Sequence, residues 1–392
     1  MRNRLANPAW WGAFVFGVLV AATVWACSVP VYRYALERWP PEPYTVLVFH
    51  RGPLPEAASK AVERLREETA ANTYGGLLRL GAIDLSGEPN ENEEVAKVWE
   101  RHASAALPHL VVRFPEFYGI PIDVWSGPLT DDAVTQVLDS PARRQVARRI
   151  LEGDSAVFVL LESGDAAQDD AAGRVVETHL KEMEKALELP EPPEGMWDDP
   201  IYDAEGPPQL AVKFSVLRLK RDDPAEGFFV NMLLGCEPDL HDLKEPMVFP
   251  VFGRGRALCA LVGKGINQEN IEDVCAFLVG PCSCVVKYQN PGVDMFITVD
   301  WDAALAGEES AIPEVTPPPL TGLAGFKPPE DAEQQPEDEP KVRRTLFGIM
   351  HKVTFTDPIG FVDMLVIYAV AGLIIVAVVS LIVWKRQKSR AG

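Results

Sequence analysis

An internal duplication constrains the fold of this chain more than any other feature. Around Pro108 the sequence reads Leu-Pro-His-Leu-Val-Val-Arg-Phe, and around Pro246 it reads Glu-Pro-Met-Val-Phe-Pro-Val-Phe. The two prolines lie 138 positions apart. Thr130, which precedes a predicted helix, and Asn267, which begins one, lie 137 apart. The register therefore holds through a strand, a second strand and a helix. The sequence predicts two copies of one supersecondary unit.

Two apolar segments bracket the duplicated region. Residues 9–32 and 363–384 are each long enough to cross roughly 30 Å of hydrocarbon as a helix. Basic residues flank the outer ends of both segments, and short basic flanks stay in the cytoplasm. The predicted localisation is the cell membrane, with both termini cytoplasmic and the main domains extracytoplasmic, periplasmic in a Gram-negative cell. Tyr32 and Trp39 are expected in an aromatic belt at the outer interface.

Two alternatives remain open for the first apolar segment. It resembles a signal peptide, although a signal sequence usually has a shorter apolar region of about 7–15 residues. The stretch ending at Cys27 also loosely matches a lipoprotein processing box, which would make Cys27 a lipidation site.

Local patterns predict the elements between these segments. Residues 44–50 form an apolar run typical of a buried strand, and residues 56–71 carry apolar side chains at helical spacing. Residues 77–85 predict a second strand. Residues 90–103 predict a second helix, capped by Asn90 with a glutamate three positions on. In the second half, residues 155–161 and 172–187 predict a strand and a helix.

This order of strand, helix, strand, helix, proline-led strand, strand and helix resembles a thioredoxin-like domain. The predicted fold class is α/β, with two tandem thioredoxin-like domains (43–152 and 153–305) flanked by an N-terminal and a C-terminal transmembrane helix. In that family the proline is usually cis and faces the active site. The resemblance therefore implies cis bonds before Pro108 and Pro246 and makes these prolines a candidate binding face.

The same resemblance argues against redox catalysis at the family position. Redox-active members carry Cys-x-x-Cys between the first strand and the first helix, where the helix dipole lowers the thiol pKa. Here residues 51–56 read Arg-Gly-Pro-Leu-Pro-Glu and residues 162–167 read Glu-Ser-Gly-Asp-Ala-Ala. Neither loop contains a thiol, so no catalytic residue and no cofactor are predicted.

Thiol chemistry remains open at other cysteines. Five lie after the first apolar segment: Cys236, Cys259, Cys275, Cys282 and Cys284. An odd number leaves at least one free thiol or an intermolecular bond. Cys259 and Cys275 are predicted to be buried. Cys282 and Cys284, with Cys236 and His241, are candidate thiol or metal residues, which would form a disulfide or bind copper or zinc.

Composition limits the partners and identifies the linkers. A net charge of −20 makes nucleic acid a poor partner. Residues 306–342 are rich in proline and glutamate, which predicts a disordered stalk. Residues 343–362 mix basic and apolar side chains and predict an amphipathic juxtamembrane segment. The lipid bilayer, through two helices, and a membrane protein complex of unknown identity are the predicted partners.

Three further motifs carry weaker predictions. Residues 141–152 predict a helix with four arginines, which either pair within the chain or dock an acidic surface. The sequence Gly-Arg-Gly-Arg at 253–256 predicts a hairpin turn. Residues 285–288 predict the start of a strand.

The favoured function is a membrane-anchored extracytoplasmic binding or scaffold protein, an accessory subunit of an envelope transporter or secretion assembly. The alternative is a thiol-redox or copper- or zinc-handling protein that works through Cys282 and Cys284. Only the second function requires these two thiols.

Overall fold

Two β-sheets covered by helices form a mixed α/β structure. The computed structural model describes residues 29–70, 77–87, 92–191, 210–281 and 287–306. All of these residues belong to one compact unit of the chain.

The first repeat follows a short N-terminal helix and contains four strands and three helices. In chain order the elements are α1 (Val31–Arg38), β1 (Tyr44–His50), α2 (Glu56–Ala70), β2 (Leu78–Asp84), α3 (Glu93–His102), β3 (His109–Arg113), β4 (Asp123–Pro128) and α4 (Asp131–Leu138). Strand β1 pairs parallel with β2 and antiparallel with β3. The sheet order is β2-β1-β3-β4.

The second repeat follows the connecting helix α5 (Pro141–Leu151) and has the same pairing. Its elements are β5 (Ala156–Glu162), α6 (Ala166–Ala186), β6 (Phe214–Lys220), α7 (Gly227–Leu234), β7 (Met247–Phe252), β8 (Arg256–Ala257), β9 (Leu261–Val262) and α8 (Gln268–Val279). The chain continues into β10 (Val293–Asp294) and α9 (Trp301–Leu305). Strand β5 pairs parallel with β6 and antiparallel with β7, which also pairs with β8 and β9.

The two repeats have matching helix caps. Thr130 caps α4 and Asn267 caps α8, and each side-chain oxygen accepts a hydrogen bond of 3.1 Å from the backbone amide three residues on. A side-chain oxygen at this position satisfies an amide that has no partner within the helix. The 137-residue spacing read from the sequence therefore corresponds to one structural role used twice.

One hydrophobic core runs across both repeats. Val46 of the first repeat and Phe249 of the second belong to the same buried cluster. Phe296, which follows β10, lies between the repeats, with ring centroids 5.7 Å from Tyr44 and 6.2 Å from Phe228. The first repeat also has a smaller core of its own beneath α3, centred on Phe49. The two sheets are thus held together by packed side chains rather than by a linker.

Helix α1 packs on the second repeat although it precedes the first repeat in the chain. Val31 and Tyr32 are buried in the core beneath α8, and Trp39 packs edge-on against Phe252 at 6.4 Å. Residues 29–32, predicted as the end of the first membrane span, therefore belong to the folded unit. The prediction that Tyr32 and Trp39 lie in an aromatic belt is wrong. It failed because Tyr32 and Trp39 lie on the side of α1 that packs against the second repeat.

The structure does not reach the rest of the predicted membrane attachment. In the ranges that it describes, no helix is long and apolar enough to cross a bilayer. Residues 9–28 and 363–384, the stalk after residue 306, the segment 343–362 and Cys27 lie outside the described residues.

Two helices begin at different residues from those predicted. Helix α3 is capped by Asn92, whose side chain accepts hydrogen bonds from the amides of the second and third helical residues. The predicted cap, Asn90, lies outside the described residues. Helix α6 begins at Ala166 and not at residue 172, because the Asp165 side chain accepts hydrogen bonds from two amides of its first turn.

The arginines of α5 are used within the chain. Arg143 is buried and donates hydrogen bonds to the backbone oxygens of Val137 at 2.8 Å and Phe296 at 3.1 Å. Burial lowers the pKa of Arg143 to about 9, so its guanidinium stays charged at neutral pH. Arg149 donates to Val216 O at 2.9 Å. These bonds, with exposed pairs formed by the other two arginines, confirm the intramolecular interpretation.

Candidate functional site

In the first repeat, the loop after β1 occupies the position where the resemblance would place a catalytic thiol. His50 Nδ1 lies 2.8 Å from the Gly52 oxygen, and the Gly52 amide donates to Asp84 Oδ1 at 2.9 Å. Asp84 also accepts from the hydroxyl and amide of Ser86. These hydrogen bonds lower the pKa of Asp84 to about 2, and the bond from the Ser86 hydroxyl has the largest effect. An ionised carboxylate therefore closes this loop, and residues 51–55 supply no thiol.

In the second repeat, the equivalent loop is closed in a similar way. The buried carboxylate of Asp169 accepts hydrogen bonds from the amide and hydroxyl of Ser163, both at 2.7 Å, and from the Gly164 amide at 3.0 Å. The Asp165 side chain caps α6 and accepts hydrogen bonds from the amides of Ala167 and Gln168. Amides at the start of a helix are an anion-binding feature. Here the chain's own carboxylates already occupy them.

The two strand-opening prolines share a position but not an isomer. The Leu107–Pro108 bond is cis, as predicted, and it is the one cis bond among the described residues. Pro108 O accepts a hydrogen bond from the Leu129 amide at 3.0 Å, and Pro246 O accepts one from the Gly263 amide at 2.9 Å. The prediction of a cis bond before Pro246 is wrong, because the same hydrogen bond forms with the trans isomer, which is favoured in general.

Exposure separates the same two prolines. Pro108 is partly exposed, whereas Pro246 is buried. Only Pro108 therefore offers surface to a partner, and its use as a binding face stays a prediction.

The described cysteines are protonated thiols in apolar surroundings. The Cys236 thiol donates to Met232 O at 3.4 Å, and burial raises its pKa. Burial also raises the pKa of Cys259 to about 11 and that of Cys275 to about 12. All three are free of disulfide bonds. Because the thiolate is the nucleophile and the metal ligand, none of the three is reactive at neutral pH.

The remaining candidates are not brought together. Cys282 and Cys284 lie outside the described residues, and His241 is exposed in a short 3-10 helix. Within the described ranges, no group of three or more His, Cys, Asp or Glu side chains has the arrangement of a metal site.

A buried charge cluster lies where the two repeats meet, and no sequence motif indicated it. It consists of Asp294, Arg256, Lys287, Tyr118 and Glu42. Asp294, 3% exposed, accepts from Arg256 at 3.0 Å and from Lys287, and its second oxygen accepts from the Glu42 amide at 2.9 Å. Arg256 also donates to the Tyr118 hydroxyl at 2.9 Å. The cluster joins both repeats to the segment that carries β10.

Only indirect signals for this cluster were present in the sequence. The predicted hairpin turn is confirmed between β7 and β8, but it did not indicate the ion pair formed by Arg256. Lys287 and Asp294 stand as single charges within apolar runs, which was the available signal. The prediction of a strand over 285–288 is wrong at its described end, since Lys287–Gln289 forms a single 3-10 turn with Lys287 buried.

A second polar group lies beneath α3. His102 Nε2 is 2.9 Å from Asp123 Oδ2, and Arg101 donates to the other Asp123 oxygen at 2.9 Å. The ring of His109 lies 5.3 Å from that of His102, and its buried Nε2 has no hydrogen-bond partner. Burial has the largest effect in lowering the pKa of His109, and the neighbouring His102 lowers it further. This group favours a neutral His109 in the folded state.

In comparisons with known proteins, no family model and no curated protein sequence matches this chain.

Proposed function

We propose that the chain is a membrane-anchored extracytoplasmic binding or scaffold protein built on two redox-inactive thioredoxin-like repeats. The fold assignment is supported by the sheet order β2-β1-β3-β4, in which β3 runs antiparallel to both of its neighbours. The second repeat has the same order in β6-β5-β7-β9. Fold alone does not define activity. The function therefore rests on the site.

The observation that carries the proposal is the closure of both family active-site loops by carboxylates. Asp84 accepts a hydrogen bond from the Gly52 amide, Asp169 accepts those of the Ser163 and Gly164 amides, and neither loop contains a thiol. Amides that are already bonded to a carboxylate have little to gain from a substrate. Binding surfaces elsewhere on a rigid body remain as the means by which such a protein acts.

Membrane attachment and partner type come from the sequence. Two apolar segments would anchor the chain. The first, predicted over residues 9–32, would now end at residue 28, and the second covers residues 363–384. The stalk after residue 306 would act as a tether. A tethered domain has a raised effective concentration near membrane partners. The proposed role is an accessory subunit of an envelope transporter or secretion assembly.

The experiment compares the full-length wild type with a Cys282→Ser, Cys284→Ser variant, and uses Cys275→Ser as a matched control at a buried thiol. We expect no insulin disulfide reduction by any of the three proteins and no stoichiometric copper or zinc after purification. The double variant should rescue the growth or transport defect of a deletion strain as well as the wild type does. Reductase turnover or bound metal that disappears in the double variant would establish the alternative function instead.

Topology is tested separately by reporter fusions at Gly322 and Gly392. We expect an extracytoplasmic signal at Gly322 and a cytoplasmic signal at Gly392. An extracytoplasmic C terminus would contradict the double anchor without affecting the assignment of a binding role.

A further inference from the structure

Two exposed aromatic side chains lie next to the buried charge cluster. Phe117 is 54% exposed and Tyr288 is 56% exposed, and their ring centroids are 4.4 Å apart. Among the described residues, the large hydrophobic side chains that are exposed are these two and Ile122. Phe117 and Ile122 belong to the same β3–β4 connection. Aromatic side chains are enriched in protein interfaces relative to the rest of the surface.

Buried neighbours hold both rings in place. Phe117 precedes Tyr118, whose hydroxyl bonds Arg256, and Tyr288 follows Lys287, which is buried against Asp294. The Tyr288 hydroxyl donates to the Glu42 carboxylate at 3.0 Å. A partner that binds the rings does not have to order them first, which lowers the entropic cost of association.

Two carboxylates lie beside the rings, and each also faces a cation of the chain. Glu42 lies beside Tyr288, and Glu116, with 87% of its side chain exposed, precedes Phe117. Arg79 lies 3.7 Å from Glu116 and Lys287 lies 3.5 Å from Glu42, and each cation offsets part of the charge of its carboxylate. The faces of aromatic rings attract guanidinium and ammonium groups. The net charge of −20 adds a long-range attraction for cations.

We propose that Phe117 and Tyr288 form a docking site for a cationic, amphipathic segment of a partner protein, with an arginine or lysine stacked on the rings beside Glu42. The site rests on the proposed binding function and specifies the chemistry of the partner. Each of the two aromatic side chains has a surface of roughly 150–250 Å², and about half of it is exposed. That area is far below the roughly 800 Å² per partner of a stable dimer, which favours a short segment over a second copy of this chain.

The experiment measures fluorescence anisotropy of a labelled decapeptide of alternating arginine and leucine. The full-length protein is held in nanodiscs of zwitterionic lipid at near-physiological salt, and empty nanodiscs give the blank. We expect the Phe117→Ser, Tyr288→Ser variant to bind the peptide about fivefold or more weakly than the wild type. Glu42→Gln should weaken binding in the same direction. A peptide with glutamate in place of arginine should not bind.

Ile122→Ser is the matched control, because it removes an exposed apolar side chain from the same connection but not from the stacked pair. Its affinity should stay within about twofold of the wild type. Equal weakening by Ile122→Ser, equal affinity for all variants, or no binding to the wild type would each overturn the docking site. So would a dimer seen by sedimentation velocity that the double serine variant abolishes.

Insulin reduction on the same preparations separates this inference from the proposed function. If the wild type is inactive in that assay and fails to bind the peptide, only the docking site is wrong. If it reduces insulin, the proposed function is wrong whatever the peptide does.

Discussion

The carboxylate of Asp294 lies between two cations that are almost entirely removed from water. The side chains of Arg256 and Lys287 are 5% and 6% exposed, and Glu42 gives Lys287 a second, longer contact of 3.5 Å. Burying an ion costs several kcal/mol unless an opposite charge and hydrogen bonds compensate it. Asp294 supplies both to the two cations at once, so its charge matters more to folding than that of any exposed carboxylate.

We therefore predict that Asp294→Asn lowers the free energy of unfolding by about 3–5 kcal/mol, because it keeps the shape and removes the charge. Urea unfolding of the full-length protein is the measurement. Asp170→Asn is the control, since Asp170 pairs with Arg218 on the surface and should cost less than about 1 kcal/mol. Equal losses in the two variants would show that the cluster is not a stabilising network.

His109 gives a prediction about pH. Its pKa is lowered below the ordinary value of 6.5, chiefly by burial. The unfolded chain therefore binds a proton at a higher pH than the folded chain does, and stability falls as the pH drops below about 6.5. We expect His109→Phe to make the free energy of unfolding vary less between pH 7 and pH 5. Parallel pH profiles for the variant and the wild type would contradict this account.

At the scale of elements, the sequence predicted what local chemistry determines. Strand β1 matches its predicted bounds, and the helices predicted from residues 131 and 267 begin at Asp131 and Gln268. The start of α6 was missed because its first turns are mostly exposed and therefore carry no apolar stripe. The charge cluster was missed because Glu42 and Asp294 are separated by 252 positions, a pairing that no local pattern encodes.

The duplicated caps give a paired prediction. Thr130→Ala and Asn267→Ala should each lower the free energy of unfolding by about 1 kcal/mol, because each leaves one amide at a helix start without its partner. Gln136→Ala on α4 and Asp273→Ala on α8 are exposed controls that should stay within about 0.5 kcal/mol of the wild type. A cost at one cap and none at the other would mean that the two positions are not equivalent.

At the scale of the whole molecule, a tandem repeat folds here as one body. Phe296 contacts an aromatic ring from each repeat, and Trp301 of α9 is 1% exposed in the same core. Helix α1 adds a further connection, because it precedes the first repeat and packs on the second. The sequence predicted the two copies but not this fusion, since apolar periodicity shows that a face is buried and not which neighbour covers it.

The shared core predicts that damage confined to one repeat destabilises both. Phe49 is buried in the smaller core beneath α3, whose members all belong to the first repeat. Phe49→Ala should lower the free energy of global opening by about 3–5 kcal/mol. Native-state hydrogen exchange reads this change separately at the amides of β1 and β5. If the repeats form one cooperative unit, both strands should lose the same protection. If only β1 loses protection, the repeats are independent domains, and the rigid platform assumed for binding does not exist.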